Sequence, residues 1–102
     1  MNPQTLRNIQ TSLKSIIPLI ESYIDTNPVK KELFIAIRVA ISNCAINTED
    51  CHEYSHDKKV DQLYVTLNWL RIVKEYEENY HYLTYLVDEV DMVVIGHAMS
   101  EE

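Results

Sequence analysis

A chain of 102 residues has room for one hydrophobic core, and 46% hydrophobic with 25% charged residues is a globular composition, not a disordered one. One glycine and three prolines exclude a sheet domain, which needs a Gly, Asn-Gly or Asp-Gly turn about every 10 residues, and exclude glycine-rich phosphate loops and dinucleotide fingerprints. Sixteen acids against nine bases give a net charge of −7, which makes nucleic acid a poor partner and a basic protein surface a better one. What remains is an all-α chain, one helical-bundle domain over residues 1–102.

Four apolar-periodic segments follow in chain order. In the first, Leu6, Ile9, Leu13, Ile16/Ile17, Ile20 and Tyr23/Ile24 recur at spacings of three and four, the mark of one stripe along an amphipathic helix near 4–24. Pro18 lies inside it and predicts a kink or break near Ile17, since proline has no N–H for the ladder. Asp25-Thr26-Asn27-Pro28 reads as a stop and restart, with Asn27 as N-cap and Pro28 at the first position of a second helix near 28–47. That helix is apolar on almost every side from Leu33 to Ile46, so it is expected to be the most buried. The polar stretch Thr48–Asp57 is a loop or a solvated extension. Val60, Leu63, Leu67, Leu70 and Val73 define a third helix near 58–77, and Leu83, Val87, Val90, Val94 and His97 a fourth near 80–98. Only Glu77-Glu78-Asn79 separates these two, and one continuous helix from Lys58 to Ala98 is the competing arrangement. The expected fold is an up-and-down four-helix bundle with its first helix kinked at Pro18.

The charge is one-sided. Residues 1–48 carry five bases and three acids, whereas residues 49–102 carry four bases and thirteen acids, eight of them from Glu75 onward with no Lys or Arg. Direct contact of that half with phosphate backbones is disfavoured. The opening MNPQTLRNIQ has no apolar signal region, and the apolar stretch from Leu33 is too short and too interrupted to span a bilayer. Cys44 and Cys51 make no disulfide framework. A cytoplasmic protein with reduced thiols and no membrane contact is expected.

The third and fourth helices carry a second feature. At about 100° per residue, Val65, Trp69, Ile72 and Tyr76 fall together opposite Leu63/Leu67/Leu70, and Tyr85, Met92 and Met99 fall opposite Leu83/Val87/Val90. A bundle core needs only one such face per helix. Aromatic residues and methionine are enriched in interfaces, so Val65, Trp69, Ile72, Tyr76, Tyr85 and Met92 are the candidate partner or oligomer surface. The competing arrangement is a splayed bundle that buries both faces.

Catalytic chemistry has one sequence pattern behind it. His52-Glu53-Tyr54-Ser55-His56 matches H-E-x-x-H, which on a helix sets two imidazoles on one face to hold Zn²⁺ beside a glutamate base, and Cys51 lies next to it. A small zinc-dependent hydrolase using His52, Glu53 and His56 is therefore the enzymatic alternative. Against it, no strand is visible to hold a peptide, and the only downstream ligands near the pattern are ordinary surface acids. Glu53/His56 and Glu78/His81 repeat the Glu-x-x-His pair of di-iron bundles, but on one straight helix His56 and Glu78 stand roughly 33 Å apart. Cys44 sits in the most apolar helix as a small core residue, and the tyrosines at 76, 80, 82 and 85 are interleaved with acids, which suits packing better than base stacking. No metal, cofactor or catalytic residue is expected.

From Glu32 onward the chain resembles a four-helix-bundle family: the intervening-sequence proteins encoded within bacterial ribosomal RNA genes, together with the accessory variability determinants of diversity-generating retroelements. The likeness rests on Glu32-Leu33-Phe34 opening a long apolar helix, on Leu67-Asn68-Trp69-Leu70-Arg71, and on the run Tyr82-Leu83-Thr84-Tyr85-Leu86-Val87-Asp88-Glu89-Val90 to Gly96. The resemblance implies an up-and-down bundle and an oligomeric habit. In the retroelement case it implies a homopentamer working with a reverse transcriptase and nucleic acid. This chain is acidic where those members are basic, and its last connection is shorter. The residues and the resemblance together lead to a non-enzymatic bundle acting through protein contacts, either as an oligomeric accessory subunit or as an acidic inhibitor or immunity-type binder of a basic partner.

Overall fold

A computed structural model describes residues 1–48, 51–77 and 79–101 of the chain. Four α-helices follow one another, with no strand among the described residues: α1 (Pro3–Thr26), α2 (Lys31–Ser42), α3 (His56–Tyr76) and α4 (His81–Ser100). Helix α3 ends at Tyr76 and α4 begins at His81, so they are separate helices and not one.

Helix α1 starts where its sequence allows. The Asn2 Oδ1 accepts from the Thr5 backbone N–H at 2.8 Å, and Pro3 occupies the first turn, where its missing donor is not needed. At 24 residues it is about 36 Å long, which matches the 38 Å long axis of the molecule. Leu6, Ile9, Leu13, Ile16, Ile20 and Ile24 are all buried along it. Of the kink or break expected at Pro18, the break does not occur: the helix runs on to Thr26. Pro18 is exposed, so the ladder bond its nitrogen cannot make falls on the solvent side, where water substitutes for it.

Asn27 behaves differently from the N-cap its position predicts. Its side chain caps nothing that follows; its Nδ2 donates back to the Tyr23 carbonyl at 3.1 Å, and its Oδ1 accepts from the Tyr80 hydroxyl at 2.5 Å. It therefore closes α1 and ties it to the start of α4. The span assigned to one second helix divides into a 3₁₀ turn (Pro28–Lys30), α2, and a π-helical turn (Asn43–Asn47). Nor is this span wholly buried. Phe34, Ile37, Ile41, Cys44 and Ala45 face the core, but Val39 and Ile46 are exposed, because in a four-helix ring each helix has one side turned outward.

Helix α1 packs on α2 and α4, and α3 packs on α4 and on the α2/π-turn segment. At one end of the bundle the His56 Nε2–H donates to the Met1 carbonyl at 2.6 Å, and Glu101 accepts from the Asn2 backbone N–H. At the other end stand the Asn27–Tyr80 bond, a Lys30–Glu77 ion pair at 2.9 Å, and a ring cluster of Tyr23, Phe34, Tyr80 and Tyr82. The start of α1 thus meets the end of α4 and the start of α3, and the chain runs up, down, up, down.

Candidate interaction face

The third helix is built with two apolar sides. Ser55 caps it, its Oγ accepting from the Lys58 N–H at 3.2 Å, and Asp57 in the first turn complements the helix dipole. Leu63, Leu67 and Leu70 fill the core, so the opposite side has nowhere to go but outward. Val65 is 67% exposed, Ile72 53% and Tyr76 86%. On α4, Leu83, Leu86, Val87, Val90 and Val94 are buried, and Tyr85 at 54% and Met92 at 70% project from the other side.

Trp69 differs from the rest of this stripe. It is half-buried and packs against the edge of the core, with Val73 beside it in sequence register also half-buried. Its position lies on the flank of the Val65/Ile72/Tyr76 line nearer Val73, and a ring of that width reaches back to the core from there. The structure therefore leaves five of the six expected surface residues exposed and draws the sixth partly inside. The burial pattern also adds Tyr64, Ile95 and Met99, which are exposed on the same two helices.

Two ion pairs mark the α3–α4 seam. The Arg71 guanidinium donates from Nη2 to Asp91 Oδ1 at 2.7 Å and from Nε to the same carboxylate at 3.1 Å, and Lys74 Nζ meets Asp88 Oδ1 at 2.5 Å. These pairs draw the two bases towards α4. Asp61 and Glu75, which flank the outward stripe, make no ion pair among the described residues. The stripe is thus apolar, with Asp61 and Glu75 along one border and Lys58, one heptad before Val65 and over the Tyr54 ring, at its N-terminal end.

The H-E-x-x-H pattern does not lie on a helix. Cys51 to Ser55 form a turn, and only His56 belongs to α3. The two imidazoles consequently lack the i, i+4 register that a zinc pair requires, and the His56 Nε2 is engaged with the Met1 carbonyl. Among the described residues no three His, Cys, Asp or Glu side chains converge where they could hold a metal ion. Glu78, the second acid of the Glu-x-x-His pairs, lies outside the described residues. An open hollow of about 310 Å³ beside this turn is lined by Asn43, Asn47, Thr48, Cys51, Glu53, Tyr54 and Gln62. The deeper thiol is not a nucleophile at neutral pH: burial pushes Cys44 up to about 11, against smaller lowering effects from its own backbone and a Thr66 hydrogen bond.

No described helix is long and apolar enough to cross a membrane. Comparison of the chain with protein-family models, with curated proteins and with solved structures finds no match.

Proposed function

We propose that this chain is a non-enzymatic interaction module whose outer α3 stripe receives an amphipathic helical segment of a basic protein. The carrying observation is that Val65, Ile72 and Tyr76 remain exposed on a helix whose opposite stripe already fills the core. A residue set of this size left in water is an aggregation liability in a free monomer and an anchor in a complex. The acidic border of Asp61 and Glu75, with Arg71 and Lys74 already committed to α4, supports a partner that brings positive charge to the rim. Acting as an oligomeric accessory subunit, the role implied by the bundle-family resemblance, is compatible with the same surface.

The test is affinity capture from the organism that makes the protein, with immobilised wild type beside an Ile72→Asp/Tyr76→Asp variant. Both positions are exposed, so the variant is expected to melt as the wild type does and to lose the captured protein. Retention of the same protein by the variant would refute the assignment, as would a wild type that captures no basic protein.

A further inference from the structure

The first half of α4 carries rings and a carboxylate that the bundle itself does not use. Tyr82, Tyr85 and Glu89 recur at i, i+3 and i+7, so they share one side of the helix, and Tyr23 of α1 meets them there. The Tyr23 and Tyr82 ring centroids stand 5.2 Å apart at a tilt of 59°. Tyr23 is held by the buried Phe34 at 5.5 Å and Tyr82 by Tyr80 at 6.0 Å. Tyr82 is 50% exposed and Tyr85 54%, while Tyr23 and Glu89 are half-buried. Burial pushes the Tyr23 phenol above its ordinary value, and Tyr85, Tyr82 and Glu89 push it further, which sets all three within electrostatic reach of one hydroxyl.

This cluster lacks a cation. Among the described residues Glu89 makes no ion pair, and neither its carboxylate nor the hydroxyls of Tyr23, Tyr82 and Tyr85 make a hydrogen bond. No Lys or Arg occurs from Ser15 to Val29 or from Glu75 onward. Three bases on adjoining elements are engaged elsewhere: Lys30 with Glu77 at 2.9 Å, Arg71 with Asp91, and Lys74 with Asp88. A carboxylate partly withdrawn from water and left unpaired carries a desolvation cost that an incoming cation offsets.

We propose that Tyr23, Tyr82, Tyr85 and Glu89 form a binding site for an arginine side chain of another protein, its guanidinium plane against the open tyrosine rings and its N–H groups on the Glu89 carboxylate. The chemistry of the cluster selects this ligand. A ring face attracts any cation, but a trimethylated ammonium has no N–H to give a carboxylate and is held best by rings closed around it, whereas Tyr82 and Tyr85 stand half open to water. Lysine brings donors but no plane to lie on a ring. Guanidinium brings both, and is less strongly hydrated. The site belongs to α1 and α4 and uses none of Val65, Ile72 and Tyr76, so it goes beyond the function proposed above and is tested without the partner assigned there.

The probe is the blocked peptide acetyl-Gly-Arg-Gly-amide, titrated into isotopically labelled protein and followed by NMR. Shifts are expected at the rings of Tyr23, Tyr82 and Tyr85 and along the backbone from Tyr82 to Glu89, with half-saturation near ~10 mM, the range of one solvated side-chain contact. The matching lysine and trimethyl-lysine peptides are expected to bind more weakly, and the citrulline peptide, which keeps the plane and loses the charge, to give no saturable shift. Glu89→Gln is expected to weaken binding of the arginine peptide about fivefold and Tyr85→Leu about threefold. Neither residue makes a hydrogen bond or ion pair in the fold, so both variants are expected to melt as the wild type does. Four results would each overturn the proposal: no saturable shift at these tyrosines, equal shifts with citrulline, tighter binding of trimethyl-lysine than of arginine, or arginine binding unchanged in Glu89→Gln.

Discussion

Leu67 and Ile72 lie on the same helix and face opposite ways, and truncating each to alanine measures which side of α3 is inside. Leu67 is buried to 2% exposure, so Leu67→Ala removes three carbons from the core at about 0.8 kcal/mol each, or about 2.4 kcal/mol of transfer free energy. To this is added a cavity contribution wherever the surroundings do not collapse. Helix α3 is held on one side by α4 and only lightly by α2, so partial collapse is available and the total is expected near 3 kcal/mol. For a chain of this size that lowers the melting temperature by about 12–24 °C. Ile72 is already half in water, so Ile72→Ala forfeits about half the transfer value and regains part of it through the better helix propensity of alanine, leaving a loss under about 1 kcal/mol. Urea unfolding of both variants with a common slope gives the comparison. A Leu67→Ala loss below about 0.5 kcal/mol, or equal losses at the two sites, would mean that the faces of α3 are assigned wrongly and that the proposed partner surface is core.

The buried thiol predicts a pH response. Cys44 releases its proton near 9 when unfolded but near 11 in the fold, so the unfolded state binds fewer protons across that window and stability falls as pH rises through it, by about 2–3 kcal/mol in total. Cys44→Ala is expected to be less stable at neutral pH, but without that part of the alkaline decline. The Cys44 carbonyl inside the π turn accepts from Gln10 Nε2 and from the Thr48 hydroxyl, each at 3.2 Å, and both side chains are buried. Gln10→Met, nearly equal in volume, is therefore expected to cost about 1 kcal/mol in a denaturant melt, and a neutral result would remove that bond from the account. Capture of the basic partner is expected to weaken about fivefold between 0.1 and 0.5 M salt, since Asp61 and Glu75 are two solvated rim charges each contributing about 0.5 kcal/mol.

Much of the fold is legible in the sequence because helix period and burial coincide on α1: each of Leu6, Ile9, Leu13, Ile16, Ile20 and Ile24 is spaced for one face and is buried on it. The departures come where a residue's local preference yields to its surroundings. Pro18 signals a kink or break, but a proline on the solvent side of a long helix does not have to end it. Asn27 signals a cap, but its amide is drawn to the Tyr23 carbonyl and the Tyr80 hydroxyl, a partner 53 residues away that no local pattern contains. The π turn has no periodic signature either, since adding one residue to a helical turn changes its hydrogen bonding without changing its composition.

The candidate surface is harder to read, because on α3 and α4 apolar residues occur on both sides and the period alone does not say which is the core. Residue type separates the sides in part. The buried stripes are Leu63/Leu67/Leu70 and Leu83/Leu86/Val87/Val90/Val94, all compact aliphatics that fill a narrow interior, whereas the exposed ones mix Val65, Ile72 and Ile95 with Tyr76, Tyr85, Met92 and Met99. A tyrosine in the core must find a partner for its hydroxyl, and a methionine there specifies packing poorly, so both accumulate on surfaces that are wet until something covers them. Trp69 fits this logic from the other direction, since its large apolar ring reaches the core edge from a position assigned to the outside. Gly96 is legible only as a helix residue: the space where its Cβ would sit is open, and neither crowding nor a positive φ calls for a glycine there.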